Sequence, residues 1–170
     1  TILGENRQKT VLSYTGTGNA ISVITPVVQS YHRRLENFTL RGTGSATTSS
    51  GGGTGLHLDS VSAGMFLNLY IAQFSQAVWM RSTVGPPQQC LYNTFIDCTF
   101  SDSYYGVRLD DVSNENRFIA CRVNGATRGF HFVSGNSNII ESCAIENCSE
   151  RGVSIPDTTP GSNLTRGTVL

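Results

Sequence analysis

The sequence predicts an all-β chain wound as a solenoid of parallel strands, and three observations carry that prediction. First, one pattern is written three times between Asn93 and Ile155: N-x-F-x-x-C-x-F then G-V-x-L, N-x-F-x-x-C-x-V then G-F-x-F, and N-x-I-x-x-C-x-I then G-V-x-I. Second, its spacing is fixed: Cys98, Cys121 and Cys143 are 23 and 22 residues apart, and Gly106, Gly129 and Gly152 are 23 and 23 apart. Third, apolar residues alternate in each copy, Val107 and Leu109 around Arg108, Phe130 and Phe132 around His131, Val153 and Ile155 around Ser154. Period two means strand, with the flanked residue facing outward. A rung of 22–23 residues made of short strands between Gly, Asn and Ser has no room for a crossover helix, so the copies must stack strand on strand.

From the N-terminus, the first recognisable piece is Ile21 and Val23 around Ser22, preceded by residues 11–14 in an open register. The next rung holds Leu35, Phe38 and Leu40, then Leu56 and Leu58 around His57; its middle is swollen from seven to sixteen residues by the Gly/Ser/Thr-rich insert 42–54. That insert cannot pack a core and is expected to be a flexible excursion. Phe66, Leu69 and Ile71, then Val78 and Met80 around Trp79, form the rung before the three copies, and Leu164, Gly167 and Val169 open a last one. Five inward files follow: Leu35, Phe66, Phe95, Phe118, Ile140 and Leu164; Phe38, Leu69, Cys98, Cys121 and Cys143; Leu40, Ile71, Phe100, Val123, Ile145 and Val169; Leu56, Val78, Val107, Phe130 and Val153; Leu58, Met80, Leu109, Phe132 and Ile155. Residues 1–170 are read as a single domain, and an ending in T-V-L without a polar cap suggests a piece of a longer chain.

Charged residues make up 14% of the chain and the formal net charge is zero, so no general field draws in nucleic acid or an anionic membrane. No apolar run approaches the roughly 18 residues of a membrane-spanning helix. Five cysteines without a C-x-x-C argue against zinc, and the three in one file are expected to be reduced thiols filling space, disulfides being the alternative. Asn93, Asn116 and Asn138 are either a hydrogen-bonded ladder or simply good turn residues.

The alternation that fixes the core also fixes what faces out. One outward file on the last strand of each rung reads Ser22, His57, Trp79, Arg108, His131 and Ser154; two residues on runs Ile24, Asp59, Arg81, Asp110, Val133 and Pro156. Trp79 offers an apolar face to sugar C–H groups, while Arg81, Arg108, His57 and His131 offer donors to hydroxyls or carboxylates. The plainer reading is a sheet covered by a loop or a neighbouring chain. Asp59 and Asp110, two rungs and about 9.6 Å apart by strand spacing, are the candidate catalytic carboxylates, near the upper limit for an inverting pair. Arg81 between them equally suits an Asp-Arg-Asp ion ladder. His57 and His131 are too far apart to share a metal, and no cofactor motif is present.

The N-x-I-x-x-C/N-x-I then G-I/V-x-L/I repeat resembles the right-handed, single-stranded parallel β-helix of pectate lyases, polygalacturonases and bacteriophage tailspikes. The start, I-L-x-G-E-N-R-x-K-T-V-L and then T-G-N-A-I, is similar to the entry into the helix of tailspike and pectate-lyase-like proteins. Similarity to tailspikes implies a homotrimeric virion protein of a phage tail, assembled in the bacterial cytoplasm, that binds and sometimes depolymerises a bacterial surface polysaccharide. The same resemblance leaves open a monomeric, extracellular lyase or hydrolase of pectinase type, and a purely structural shaft or adhesin stalk. The calcium-binding acids of pectate lyases and the Asp cluster of polygalacturonases have no counterpart in this sequence.

Overall fold

Each turn of the chain lays down three short strands, and each strand pairs in parallel with its counterpart one turn on, as the computed structural model of residues 1–25, 33–45, 47–83, 89–155 and the backbone of 168–169 describes. The first sheet contains Ile2–Leu3, Arg34–Glu36, Met65–Leu67, Thr94–Ile96, Arg117–Ile119, Ile139–Glu141 and Thr168–Val169. The second contains Val11–Ser13, Thr39–Arg41, Tyr70–Ala72, Thr99–Ser101, Arg122–Asn124 and Ala144–Glu146. The third contains Asn19–Ile24, Thr54–Asp59, Gln76–Arg81, Tyr105–Leu109, Arg128–Phe132 and Arg151–Ser154. A two-stranded ladder, Cys90–Leu91 beside Ser113–Asn114, lines the return from third sheet to first.

Register follows the inward files. Leu35, Phe66, Phe95, Phe118 and Ile140 pair in sequence in the first sheet, and Leu40, Ile71, Phe100, Val123 and Ile145 in the second. Leu56, Val78, Val107, Phe130 and Val153 do the same in the third. The phenyl rings of Phe66, Phe95 and Phe118 stack at centroid distances of 4.4 and 5.0 Å, so like packs on like along the axis. Phe74, fully buried, fills the corner between second and third sheets.

Corners need backbone that most residues avoid. Between first and second sheets, Asn37, Asn68, Asp97, Ala120 and Ser142 all sit at φ between 50° and 61°, one per rung. The left-handed region turns the chain sharply. The cost is met by bonding upward: the Asn68 amide donates to Ile96 O at 2.9 Å and Ala120 to Glu141 O at 2.9 Å.

Two internal files settle open questions. Asn93, Asn116 and Asn138 form a ladder: Asn116 Oδ1 accepts from the Asn93 amide and from Asn93 Nδ2, both at 3.0 Å, and Asn138 Oδ1 does the same for Asn116 at 3.0 and 3.1 Å. The cysteines are free thiols, and Cys98, Cys121 and Cys143 donate to backbone carbonyls around them. Burial lifts the Cys90 thiol to about 11, so it stays protonated.

Four expectations change. The 22–23-residue rung holds from Phe95 to Ile140, but Phe66 pairs with Phe95 29 residues on and Leu35 with Phe66 31 residues on, the excess lying in the loops between strands. The first turn is a full rung, with Ile2 across from Leu35 and Leu12 across from Leu40, whose register exposed strand ends had hidden. Val169 lies across from Ile140 rather than Ile145, so the last turn carries more residues than the repeat; Leu164 is outside the described residues. Ile155 is 42% exposed because its strand ends at Ser154. Within the 42–54 insert, Gly42 and Gly44 donate to Ala72 O and Gln73 O at 2.9 and 2.7 Å, and Thr54 already opens a third-sheet strand.

Candidate functional site

The outward file is aligned as its alternation requires. Ser22 pairs with His57, His57 with Trp79, Trp79 with Arg108, Arg108 with His131 and His131 with Ser154, one residue per rung. Asp59 lies across from Arg81, and Asp110 continues that second file through its amide bond to Met80 O.

Accessibility divides the file. His57 and His131 are only 6% and 7% exposed. Trp79 lies against His57 with ring centroids 4.9 Å apart, and Asn19 Nδ2 meets His57 Nδ1 at 3.0 Å. Tyr105 stacks on His131 at 5.0 Å, and Ser154 Oγ meets its Nδ1 at 3.1 Å. The two imidazoles expected to touch a ligand are thus a covered floor. Burial lowers both pKa values, that of His131 to about 4 with help from Arg128 and Arg108, so both rings are neutral at pH 7.

Trp79 is fixed from several sides. Its Nε1 donates to Asp110 Oδ2 at 2.8 Å, and the Arg81 and Arg108 guanidiniums lie 4.7 and 5.8 Å from its ring centre. Arg108 grips the same carboxylate, Nε to Oδ1 at 3.0 Å and Nη2 to Oδ2 at 2.9 Å. Both Asp110 oxygens are therefore occupied by partners of its own sheet. Arg81 is held less: its Nε is buried without a hydrogen-bond partner and stands 4.0 Å from Asp111 Oδ2. These groups, with Val133 and Ser134, line an open depression of about 640 Å³.

Both candidate catalytic carboxylates are tied to neighbours of their own sheet or turn. Asp59 is 4% exposed; its Oδ1 accepts from the Thr83 amide and Ser60 Oγ at 3.0 Å each, and its Oδ2 from Thr83 Oγ1 at 2.6 Å. Burial alone would raise its pKa, but these bonds outweigh it and hold the carboxyl below the usual range. An ionised, fully bonded carboxylate cannot be the general acid of an inverting pair. Nor is Asp59 the end of an ion ladder, because Thr83 and Ser60 satisfy it while Arg81 turns toward Asp111.

Fold and surface can now be set beside known proteins. A family model described as right handed beta helix region matches residues 29–168. The chain belongs to the right handed beta helix family. No curated protein and no solved structure matches it. For this β-helix chain, family membership fixes the winding, while binding or catalysis must be argued from the side chains of its faces.

Sequence reasoning did not reach Asp111 as a lining group, since nothing in its spacing separates it from a turn residue. It also did not reach a groove on the second sheet, where Arg7, 90 positions away in the chain, donates from Nη1 to Asp97 O at 3.3 Å.

Proposed function

We propose that this β-helix binds a bacterial surface polysaccharide across its third sheet, at the depression around Trp79. One observation carries the reading: the Trp79–Asp110–Arg108 cluster is locked by its own hydrogen bonds, while Arg81 and Asp111 beside it stand 4.0 Å apart. The locked cluster presents an indole edge in one place at no ordering cost. The loose pair keeps donors and an acceptor for sugar hydroxyls. Two arginines face two aspartates here, so a neutral or evenly charged glycan fits better than a polyanion. Resemblance of the repeat to tailspikes extends the proposal to a homotrimer on a phage tail; light scattering that gives a monomer would remove that extension.

Cleavage is not included, since Asp59 and Asp110 are both engaged. Trp79→Ala tests the site: against a panel of capsular and O-antigen preparations, wild-type binding should fall at least tenfold. Unchanged binding to every preparation the wild type recognises removes the third sheet as the contact face.

A further inference from the structure

The second sheet carries a charge pattern unlike that of the third. Its outward files read Thr39, Tyr70, Thr99, Arg122 and Ala144, and beside them Arg41, Ala72, Ser101, Asn124 and Glu146. A depression of about 580 Å³ includes Arg7, Tyr70, Asp97, Ser101, Arg122 and Asn124, and a second of about 410 Å³ includes Arg7, Thr39, Arg41 and Tyr70. Arg7 and Tyr70 belong to both, so the two form one groove running along the stack.

Arg7 reaches into it from the N-terminal turn. Its carbonyl accepts from Thr39 Oγ1 at 2.5 Å and its guanidinium donates to Asp97 O at 3.3 Å, so the side chain is laid over the sheet rather than out into water. Arg41 and Arg122 are exposed, and neither forms an ion pair with a carboxylate among the described residues. They stand three rungs and two residues apart, about 16 Å by strand spacing and rise, with the Tyr70 ring and the Thr99 hydroxyl between them, while the buried Ser101 hydroxyl donates to Asp102 Oδ2 at 2.9 Å. Asp97 is the one acid in the lining, and its carbonyl rather than its carboxylate takes Arg7. Glu146 closes the outer file at the far end, beyond Asn124. In a chain of zero net charge, positive potential is thus gathered on this face, whereas Arg81 and Arg108 on the third sheet are matched by Asp111 and Asp110.

We propose that the second-sheet groove is a separate binding site for a linear anionic polysaccharide, a carboxylated glycan lying along the axis with acid groups on Arg41, Arg7 and Arg122. Guanidinium forks pair with carboxylates in bidentate fashion, and hydroxyl and amide groups between them suit sugar hydroxyls. A nucleic acid would want bases stacked on several aromatic rings, and the groove offers one, Tyr70.

Alginate oligosaccharides of defined length serve as the probe, with uncharged malto-oligosaccharides and single-stranded DNA of matched charge as controls, all by calorimetry at low salt. Alginate should bind with an affinity that falls as salt rises, the malto-oligosaccharide should not, and the DNA should bind more weakly. Arg41→Gln and Arg122→Gln should each weaken alginate binding at least fivefold and the pair at least twentyfold, with unchanged thermal unfolding because both side chains are exposed. Trp79→Ala should leave alginate binding unchanged, which separates this site from the third-sheet reading. No alginate binding, alginate binding indifferent to both arginine substitutions, or DNA bound more tightly than alginate overturns the proposal.

Discussion

Asn116 stands where four hydrogen bonds meet inside the coil. Removing its side chain takes the side-chain acceptor from the Asn93 amide, one of two acceptors from Asn93 Nδ2, which keeps Val61 O at 2.8 Å, and a donor from Cys90 O, all in a buried file. Orphaned buried polar groups cost about 1–3 kcal/mol each, so Asn116→Ala should lose about 3 kcal/mol or more in denaturant unfolding. A loss below 1 kcal/mol would mean that water replaces the ladder. His131 makes the complementary case for burial without charge. Its folded pKa of about 4 lies below the unfolded 6.5, so the unfolded chain binds more protons between those values. Stability from this ring is therefore full above pH 6.5 and is lost as pH falls toward 4, by an amount of order 1–2 kcal/mol after allowance for screening. Thermal unfolding followed from pH 7 to 4 should show that decline, and His131→Gln should flatten it. Asp59, held below its usual range, contributes stability that is full above the ordinary carboxylate range and is lost only as pH falls below it. What alternation could not show is the cover over these rings. It placed His57 and His131 on the outer face, where they are, but Trp79, Asn19 and Tyr105 roof them over, and a period of two says nothing of how far a neighbour leans.

At the scale of the strand, the second residue of successive third-sheet strands is small: Gly55, Ala77, Gly106, Gly129 and Gly152 align through the flanking register. The reason is the closeness of the next rung's backbone in the same sheet, with second-sheet side chains such as Ile145 beside it. A Cβ on Gly129 would lie 2.3 Å from Gly152 O, whereas one on Gly152 meets nothing nearer than the Ile145 Cγ2 at 3.1 Å. Gly129→Ala should therefore cost about 1–3 kcal/mol, as overpacking does, and Gly152→Ala clearly less. Equal costs, measured by denaturant unfolding, would show that the corner yields. The glycine spacing was visible in the repeat, and so were the five inward files, because both follow from identical neighbours above and below. Loop lengths were not. Strands of three residues fix a register only where apolar neighbours flank them, so the first turn and the position of Val169 escaped the pattern.

On the scale of the whole molecule, a β-helix turns sequence spacing into parallel surfaces, and this one offers two of different chemistry. The third sheet has matched charges around an indole, the second an excess of guanidinium groups. The fold was legible because repetition announces it; the second groove was not, because Arg7 joins it from a rung 90 positions distant. Trp79 is the chain's single tryptophan, so its fluorescence reports on the third-sheet depression alone. Titration with whichever neutral capsular or O-antigen polysaccharide the protein binds should shift Trp79 emission and shield it from acrylamide, with a midpoint equal to that of binding measured by calorimetry. Saturable binding of a neutral polysaccharide that leaves both the emission and the quenching of Trp79 unchanged would contradict the assignment.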